Sequence, residues 1–554
     1  MILFMNDHMS GENITGIIKV AKELGIADDI ETYGKQIAKV PVSLLDKLKD
    51  RKDGRLILVT STNPTPAGEG KTTTVIGLGQ AFKVLGEKIM IAIREPSMGP
   101  CFGIKGGATG GGKSKVEPSD NINLMFTGDF PAITAAHNLL SALINNHIYH
   151  GNKLGIDVKR IVFPRTIDMN DRSLRQVIVG VGDRNSGIIA NDSYVITPAS
   201  ELMAIVGLST SYKDLKERLS RILVAFTYEG KPVYAKDLNA QGSMAAILRD
   251  ALKPNLVLTT EGVPAFIHTG PFGNIAHGTS SIIADRIALK LSDYLITESG
   301  FGSELGAEKF FDIVSHVANL DVSAVVIVTT IRALKHHGEN SQSRAKDVSD
   351  LEAGFPNLLR HVNIVRKFGL EPVVSINLFT ADTDEEKQKL AQLMELNNLN
   401  YAFADFYNQG GKGGLDLARK VIEAAKKPPK KITRVYSPEE KVKTKIEKIA
   451  KSVYGARGVE FSDQASRDIR QIEKLGYSNL YICMAKTQYS LSDNPKLLGS
   501  PEDFTVEIKA VKIAAGSGFL IPMLGDIMVM PGLPEVPAAE NITLTDDGEI
   551  SGLS

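Results

Sequence analysis

The sequence predicts an α/β protein: a mostly parallel sheet covered by helices, joined to two smaller α/β units. Three observations carry that expectation. Short runs of continuous apolar and β-branched residues recur along the chain. Each run ends abruptly in a glycine- or charge-rich loop. Amphipathic helical stretches, such as 75–85 and 280–291, separate several of them. Continuous apolar strands alternating with helices imply a sheet covered on both faces.

In chain order, 55–60 (RLILVT) runs into TPAGEGKTT, and 88–93 (KIMIAI) runs into REPSMGP. Residues 255–260 (NLVLTT) lead into EGVPAFIHTGPFGNIAHG, and 294–297 into ESGFGSELG. Residues 323–330 (SAVVIVTT) lead into IRALKHHG, and 371–378 (EPVVSINL) into FTADTDEE. Ligands of parallel sheets sit beyond the carboxyl ends of the strands, where these loops fall. Tight turns alone explain one or two such loops; six favour a shared site. Residues 424–431 (AAKKPPKK) form the clearest linker, because paired prolines cannot continue a helix. Beyond it, 441–451 reads as a charged surface helix and 530–537 as an extended loop, and no internal repeat is evident.

A length of 554 residues implies two to four domains. Hydrophobic residues at 43% and charged residues at 23% fit an ordinary globular protein. Lys+Arg and Asp+Glu are equal at 64 each, which argues against nucleic-acid or anionic-membrane binding through a net basic field. A local positive patch suits a small anionic ligand instead. The only cysteines, Cys101 and Cys483, exclude a disulfide framework and fit a reducing compartment. No secretory signal opens the chain, and no segment approaches the roughly 20 apolar residues of a membrane span. A cytoplasmic protein is expected.

The strongest motif is Thr65-Pro66-Ala67-Gly68-Glu69-Gly70-Lys71-Thr72, between a strand and a helix. Backbone N–H groups of such a loop, with the helix N-terminus, cradle phosphates. Lys71 is placed to reach the β/γ oxygens, and the Thr72 hydroxyl to bind Mg²⁺. Thr65 stands where the strict pattern has its first glycine. The bland alternative is a glycine-rich helix cap. Switch ATPases that dimerise through a second lysine in this loop would have it at Pro66; its absence favours chemistry within one subunit. Arg94 closes the next strand and offers a planar fork for a carboxylate or phosphate, unless it forms a surface pair with Glu95. The glycines of 103–112 let backbone approach a ligand closely.

At these loops the sequence resembles the formate–tetrahydrofolate ligase family. The matching segments are REPSMGPCFGIKGGATGGG, NINLMFTGDFPAITAAHNLLSALINNH, QGSMAAIL, KPNLVLTTEGVPAFIHTGPFGNIAHG, TESGFGSELGAEKF, TTIRALKHHG, QGGKGGLDLARKV and MAKTQYSLSD. They run in the family's order from about residue 16 to the C-terminus, at the length of the monofunctional form. Departures occur at Lys113, where tyrosine is usual, at Thr109, and at Gly338-Glu339, where Gly-Gly is usual. Tyr407 stands for the family's folate-site tryptophan, and the chain has no tryptophan.

The resemblance implies a P-loop nucleotide-binding domain over 1–370, a folate-side domain over 371–500 and a small domain over 501–554. It implies ATP-dependent phosphorylation of formate, then attack by N10 of tetrahydrofolate on formyl phosphate. Lys71 would serve the transferring phosphoryl group, Thr72 the Mg²⁺ and Arg94 the formyl phosphate. Asp129 would position Mg²⁺ or move a proton. Phe379 and Tyr407 would sandwich the pterin, and Glu95 would hydrogen-bond its amino edge. Without the resemblance both aromatics would be taken as core residues. Of the histidines, His268 is the candidate to line the site, and none has zinc-site spacing. A homotetramer stimulated by potassium or ammonium is also implied. Two other readings stay open: a different P-loop carboxylate–amine ligase, and a nucleotide-switched binding ATPase.

Overall fold

A computed structural model describes residues 16–66, 68–105, 108–183, 185–339, 348–428, 431–525 and 527–553. Its central sheet is built on β1 (Glu31–Tyr33), β2 (Ile37–Lys39), β3 (Arg55–Ser61), β4 (Ile89–Ile93) and β5 (Asn255–Thr259). The sheet continues with β6 (Pro264–Ile267), β7 (Tyr294–Glu298), β8 (Ala324–Thr329), β9 (Pro372–Asn377) and β10 (Tyr401–Ala404). Side by side they run β1-β2-β5-β6-β4-β7-β3-β8-β9-β10. From β6 to β10 every neighbouring pair is parallel, whereas β1, β2 and β5 pair antiparallel at one edge. The protein is therefore α/β, with one large, mixed, mostly parallel sheet and smaller sheets around it.

Helices α1 (Lys71–Val84), α2 (Asp129–Tyr149), α3 (Ile282–Leu291), α4 (Ile331–Gly338) and α5 (Leu415–Lys426) pack about this sheet. Side chains alternate across a strand, so a wholly apolar strand feeds two cores. On β3, Leu56 and Leu58 join Phe130 and Ile133 of α2 and Ile283 of α3. Ile57 and Val59, on the other face, join Val75, Ile76 and Phe82 of α1 and Val421 of α5. Each such side chain contributes roughly 1.5–3 kcal/mol by burial. Helix α1 is buried on all sides over its middle, which demands close approach. A Cβ at Gly77 would lie 2.3 Å from the Phe406 ring, and one at Gly79 2.6 Å from Ile91 Cγ2. That wedge fixes the N-terminus of α1 at the end of β3.

All six expected strands enter one sheet, with one difference in direction. Residues 255–259 form the antiparallel β5, and Gly262, at φ +74°, turns the chain into the unforeseen β6. It is β6, parallel to β4, that delivers the PFGNIAHG loop to the sheet's carboxyl edge. The boundary expected after residue 370 falls between the hydrogen-bonded strands β8 and β9. The one expected after 500 divides a second sheet, in which Gly458–Phe461 pairs with Thr505–Ala514. The helix Val442–Ile449 is less superficial than its lysines suggest. Val442, Ile446 and Ile449 are buried at helical spacing, and the buried Lys445 ammonium donates to Ser478 O and Leu480 O, both at 2.6 Å. Among the described residues no helix is long and apolar enough to cross a membrane.

Candidate active site

Because β4, β7, β3, β8 and β9 run parallel, the loops after them emerge on one edge of the sheet. The loop after β3 carries the glycine-rich motif. Gly68 and Gly70 take φ +78° and +68°, the left-handed region that glycine enters without penalty. A Cβ at Gly70 would also lie 2.5 Å from Asn377 Nδ2. Glu69 points inward: its carboxylate accepts from the Thr65 N–H at 2.7 Å and from the Thr330 hydroxyl. Asn377 Nδ2 donates to Glu69 O at 3.1 Å. Pro66 is exposed, and Ala67 lies outside the described residues. Thr65 and Glu69 thus shape the loop, and the N–H groups leading into α1 are what it offers a phosphate.

Lys71 Nζ donates to Ser299 O at 2.5 Å and to Phe301 O at 2.9 Å, in the loop after β7. The Thr72 hydroxyl donates to Glu298 Oε2 at 3.0 Å. Glu298 ends β7, the strand paired with β3, and its other oxygen faces the Arg94 N–H at 3.5 Å.

Arg94 follows β4 and is half-buried, with two of its guanidinium nitrogens shielded from solvent. Its Nη1 donates to Pro271 O at 3.2 Å, while Nε and Nη2 are buried without a hydrogen-bond partner. Gly300 makes room for the guanidinium, since a Cβ there would lie 2.3 Å from Nη1. Burial lowers the Arg94 pKa and the nearby carboxylate of Glu298 opposes that shift. A fork with shielded donors left over is a site for an anion.

Glu95 and Asp129 form a buried carboxyl pair beside this cluster. Asp129 Oδ1 accepts from Lys39 Nζ at 2.7 Å, and Oδ2 from Asn255 Nδ2 at 2.8 Å. Burial first, and then the charge of Asp129, push the Glu95 carboxyl well above the usual carboxylate range. Phe379 and Tyr407 lie just beyond β9 and β10 and are 37% and 57% exposed, too open for core residues. The Arg332 guanidinium lies over the Phe379 ring, 4.7 Å from its centroid. The Tyr407 ring covers Gly111 and Gly112, whose Cβ positions would fall 3.1 and 2.8 Å from it.

The family profile described as formate–tetrahydrofolate ligase matches residues 8–554. The formate–tetrahydrofolate ligase of Thermoplasma volcanium is 61% identical over 97% of this chain and 99% of its own. The protein of that name from Picrophilus torridus is 55% identical over 98% and 100%, respectively. That from Symbiobacterium thermophilum is 50% identical over 97% of each. The chain belongs to the formate–tetrahydrofolate ligase family.

Within this formate–tetrahydrofolate ligase chain, Lys71, Thr72 and Arg94 converge on Glu298 and the 299–301 segment. Asp129 does not join them, because Lys39 and Asn255 occupy its two oxygens. His268 is a core histidine rather than a lining residue. Its ring nitrogens meet Ser281 Oγ and Ala251 O, both at 2.7 Å, and burial pushes its pKa down to about 4. Sequence reasoning missed Glu298, whose signal was an acid ending the apolar run YLITE. It also missed Thr330, Arg332 and Asn377, which hold the loop from β8 and β9 and carry no motif of their own.

Proposed function

We propose that this edge of the sheet carries out the family's ligation, joining formate to tetrahydrofolate at the expense of ATP through formyl phosphate. In the first step a formate oxygen attacks the γ-phosphorus and the bond to the β-phosphate oxygen breaks, releasing ADP. Such transfers depend on positioning and on neutralising charge. Lys71, steadied by two carbonyls, brings its ammonium to the transferring phosphoryl group. Arg94 receives the formyl phosphate on its two unpartnered nitrogens. In a water-poor site that contact is far stronger than in bulk solvent. In the second step N10 of tetrahydrofolate attacks the formyl carbon, the bond to the phosphate oxygen breaks, and phosphate departs as the N10 proton is lost to solvent. Phe379 and Tyr407 supply faces for the pterin, and the Glu95 carboxyl a hydrogen bond to its amino edge. The hard oxygens of Thr72 and Glu298 fit Mg²⁺, which when bound neutralises phosphate charge.

The observation that carries this reading is Arg94: a guanidinium with shielded donors to spare, joined through Glu298 to the phosphate loop. We further propose a P-loop nucleoside-triphosphatase-like fold for the large unit, with a smaller folate-side unit whose sheet takes its neighbouring strands from the C-terminal segment. A cytoplasmic homotetramer completes the proposal. The exposed Ile178, Val181 and Ile189 at the hairpin of Val177–Val179 and Ala190–Asp192 offer apolar surface for assembly. Potassium or ammonium activation follows the family, with no residue assigned to it. Release of ADP, measured with ATP, formate and tetrahydrofolate each omitted in turn, tests the reaction. Sustained release should require all three, and robust ATP turnover without formate or folate would contradict it.

A further inference from the structure

Arg332 touches both halves of the site. It lies in the first turn of α4, where the helix dipole disfavours a cation, so its position has to be supported by its contacts. One contact is with the phosphate loop: Nη2 donates to Gly68 O at 2.5 Å. The other is with the aromatic platform, where the guanidinium covers a face of Phe379 at 4.7 Å from the ring centroid. The same two elements are tied a second time. The Thr330 hydroxyl, which caps α4, donates to Glu69, while Asn377, two residues before Phe379, donates to Glu69 O. The carbonyl that Arg332 holds belongs to a glycine in the left-handed region, the part of the loop most free to turn when a phosphate draws on its N–H groups. Gly68 O is hydrogen-bonded to the guanidinium, and the guanidinium backs the ring.

We infer that Arg332 is a positioning residue that couples nucleotide occupancy of the phosphate loop to the affinity of the Phe379 platform for the pterin. The inference rests on the assignment of Phe379 to the folate. It makes Arg332 a link in the order of binding: a seated nucleotide fixes Gly68, Gly68 fixes the guanidinium, and the guanidinium presents the free face of Phe379. By linkage the effect is reciprocal, so tetrahydrofolate must tighten the nucleotide by the same factor.

Calorimetric titration of tetrahydrofolate, with and without saturating Mg·ADP and with formate absent, measures this coupling without turnover. The unaltered chain should bind tetrahydrofolate at least about fivefold more tightly when Mg·ADP is present. Arg332→Met should reduce that factor to near one, whatever its effect on Mg·ADP binding alone. Arg332→Lys should not restore the coupling, because an ammonium has no flat face to lay on the ring. Coupling that persists in Arg332→Met, or returns in Arg332→Lys, or is absent from the unaltered chain, overturns the inference. Phe379→Leu separates it from the underlying assignment. If that change leaves tetrahydrofolate affinity intact, the platform assignment fails; if affinity drops but Arg332→Met keeps its coupling, only the link through Arg332 fails.

Discussion

The Thr72 hydroxyl and the Glu298 carboxylate meet at 3.0 Å, joining the first turn of α1 to the end of β7. The strands behind them, β3 and β7, are parallel neighbours in register, with Glu298 opposite Val59. Loop threonine and strand-end acid are therefore held together by the sheet itself, before any ligand arrives. The same carboxylate faces the Arg94 backbone, so one acid joins the nucleotide side of the site to its anion pocket.

Glu298→Gln keeps an oxygen for Thr72 but removes the charge that suits a divalent cation. Activity should fall by about 100-fold at low Mg²⁺ and recover in part as Mg²⁺ is raised. A titration of rate against Mg²⁺ that superimposes on the unaltered protein would remove Glu298 from the metal's surroundings.

Lys71→Ala withdraws the main cation from the phosphates and should cost at least about 100-fold in activity while the fold persists. Retention of the thermal transition checks the fold. Near-normal turnover would leave the loop as no more than a glycine-rich helix cap.

Tyr407 departs from the family's tryptophan, and a phenol covers less of a pterin than an indole does. Tyr407→Trp should tighten tetrahydrofolate by about 1 kcal/mol or less, and Tyr407→Ala should raise its KM several-fold. Neither should alter ATP synthesis from ADP and formyl phosphate, which involves no folate. Equal slowing of both reactions in Tyr407→Ala would place the platform elsewhere.

Glu201 supplies a pH dependence unconnected with catalysis. Its carboxylate accepts from Gly516 N at 2.8 Å and Ser517 N at 3.1 Å, fastening a distant hairpin turn to the chain. Burial raises its pKa to about 7 against a backbone contribution that lowers it. The folded protein therefore holds this proton more tightly than the unfolded chain does. Stability from the protonated group is complete below the ordinary carboxylate range and is lost as pH rises from there through about 7. At about 1.4 kcal/mol per pKa unit the loss is at most roughly 3.5 kcal/mol. Glu201→Gln should flatten that part of a denaturation-against-pH curve; an unchanged slope would assign it to other buried carboxyls.

Much of the fold was legible because wholly apolar strands leave few alternatives to a covered parallel sheet, as Leu56 to Val59 illustrate by feeding two cores. The direction of β5 was not legible, since a single glycine at 262 decides whether the chain turns back. Lys71, Thr72 and Arg94 stood out because phosphate chemistry demands those types at strand ends. Glu298 did not, because an acid after an apolar run is common and only the pairing of β7 with β3 gives it meaning. His268 stood out for the opposite reason, and the partners of Asp129 were equally hidden. His268 lies in a glycine-rich, motif-like loop and Asp129 opens α2, yet their polar atoms meet Ser281 and Ala251, and Lys39 and Asn255, partners that only the packed fold reveals.

The most direct measurement concerns Arg94, whose shielded and incompletely partnered guanidinium is assigned to formyl phosphate. Arg94→Lys retains the charge but not the two-pronged donor geometry. The overall rate should fall by at least about 100-fold while the Kd for Mg·ADP stays within about threefold, because Lys71 and the loop backbone are untouched. Equal losses of nucleotide binding and of rate would contradict that assignment and place Arg94 in the nucleotide site.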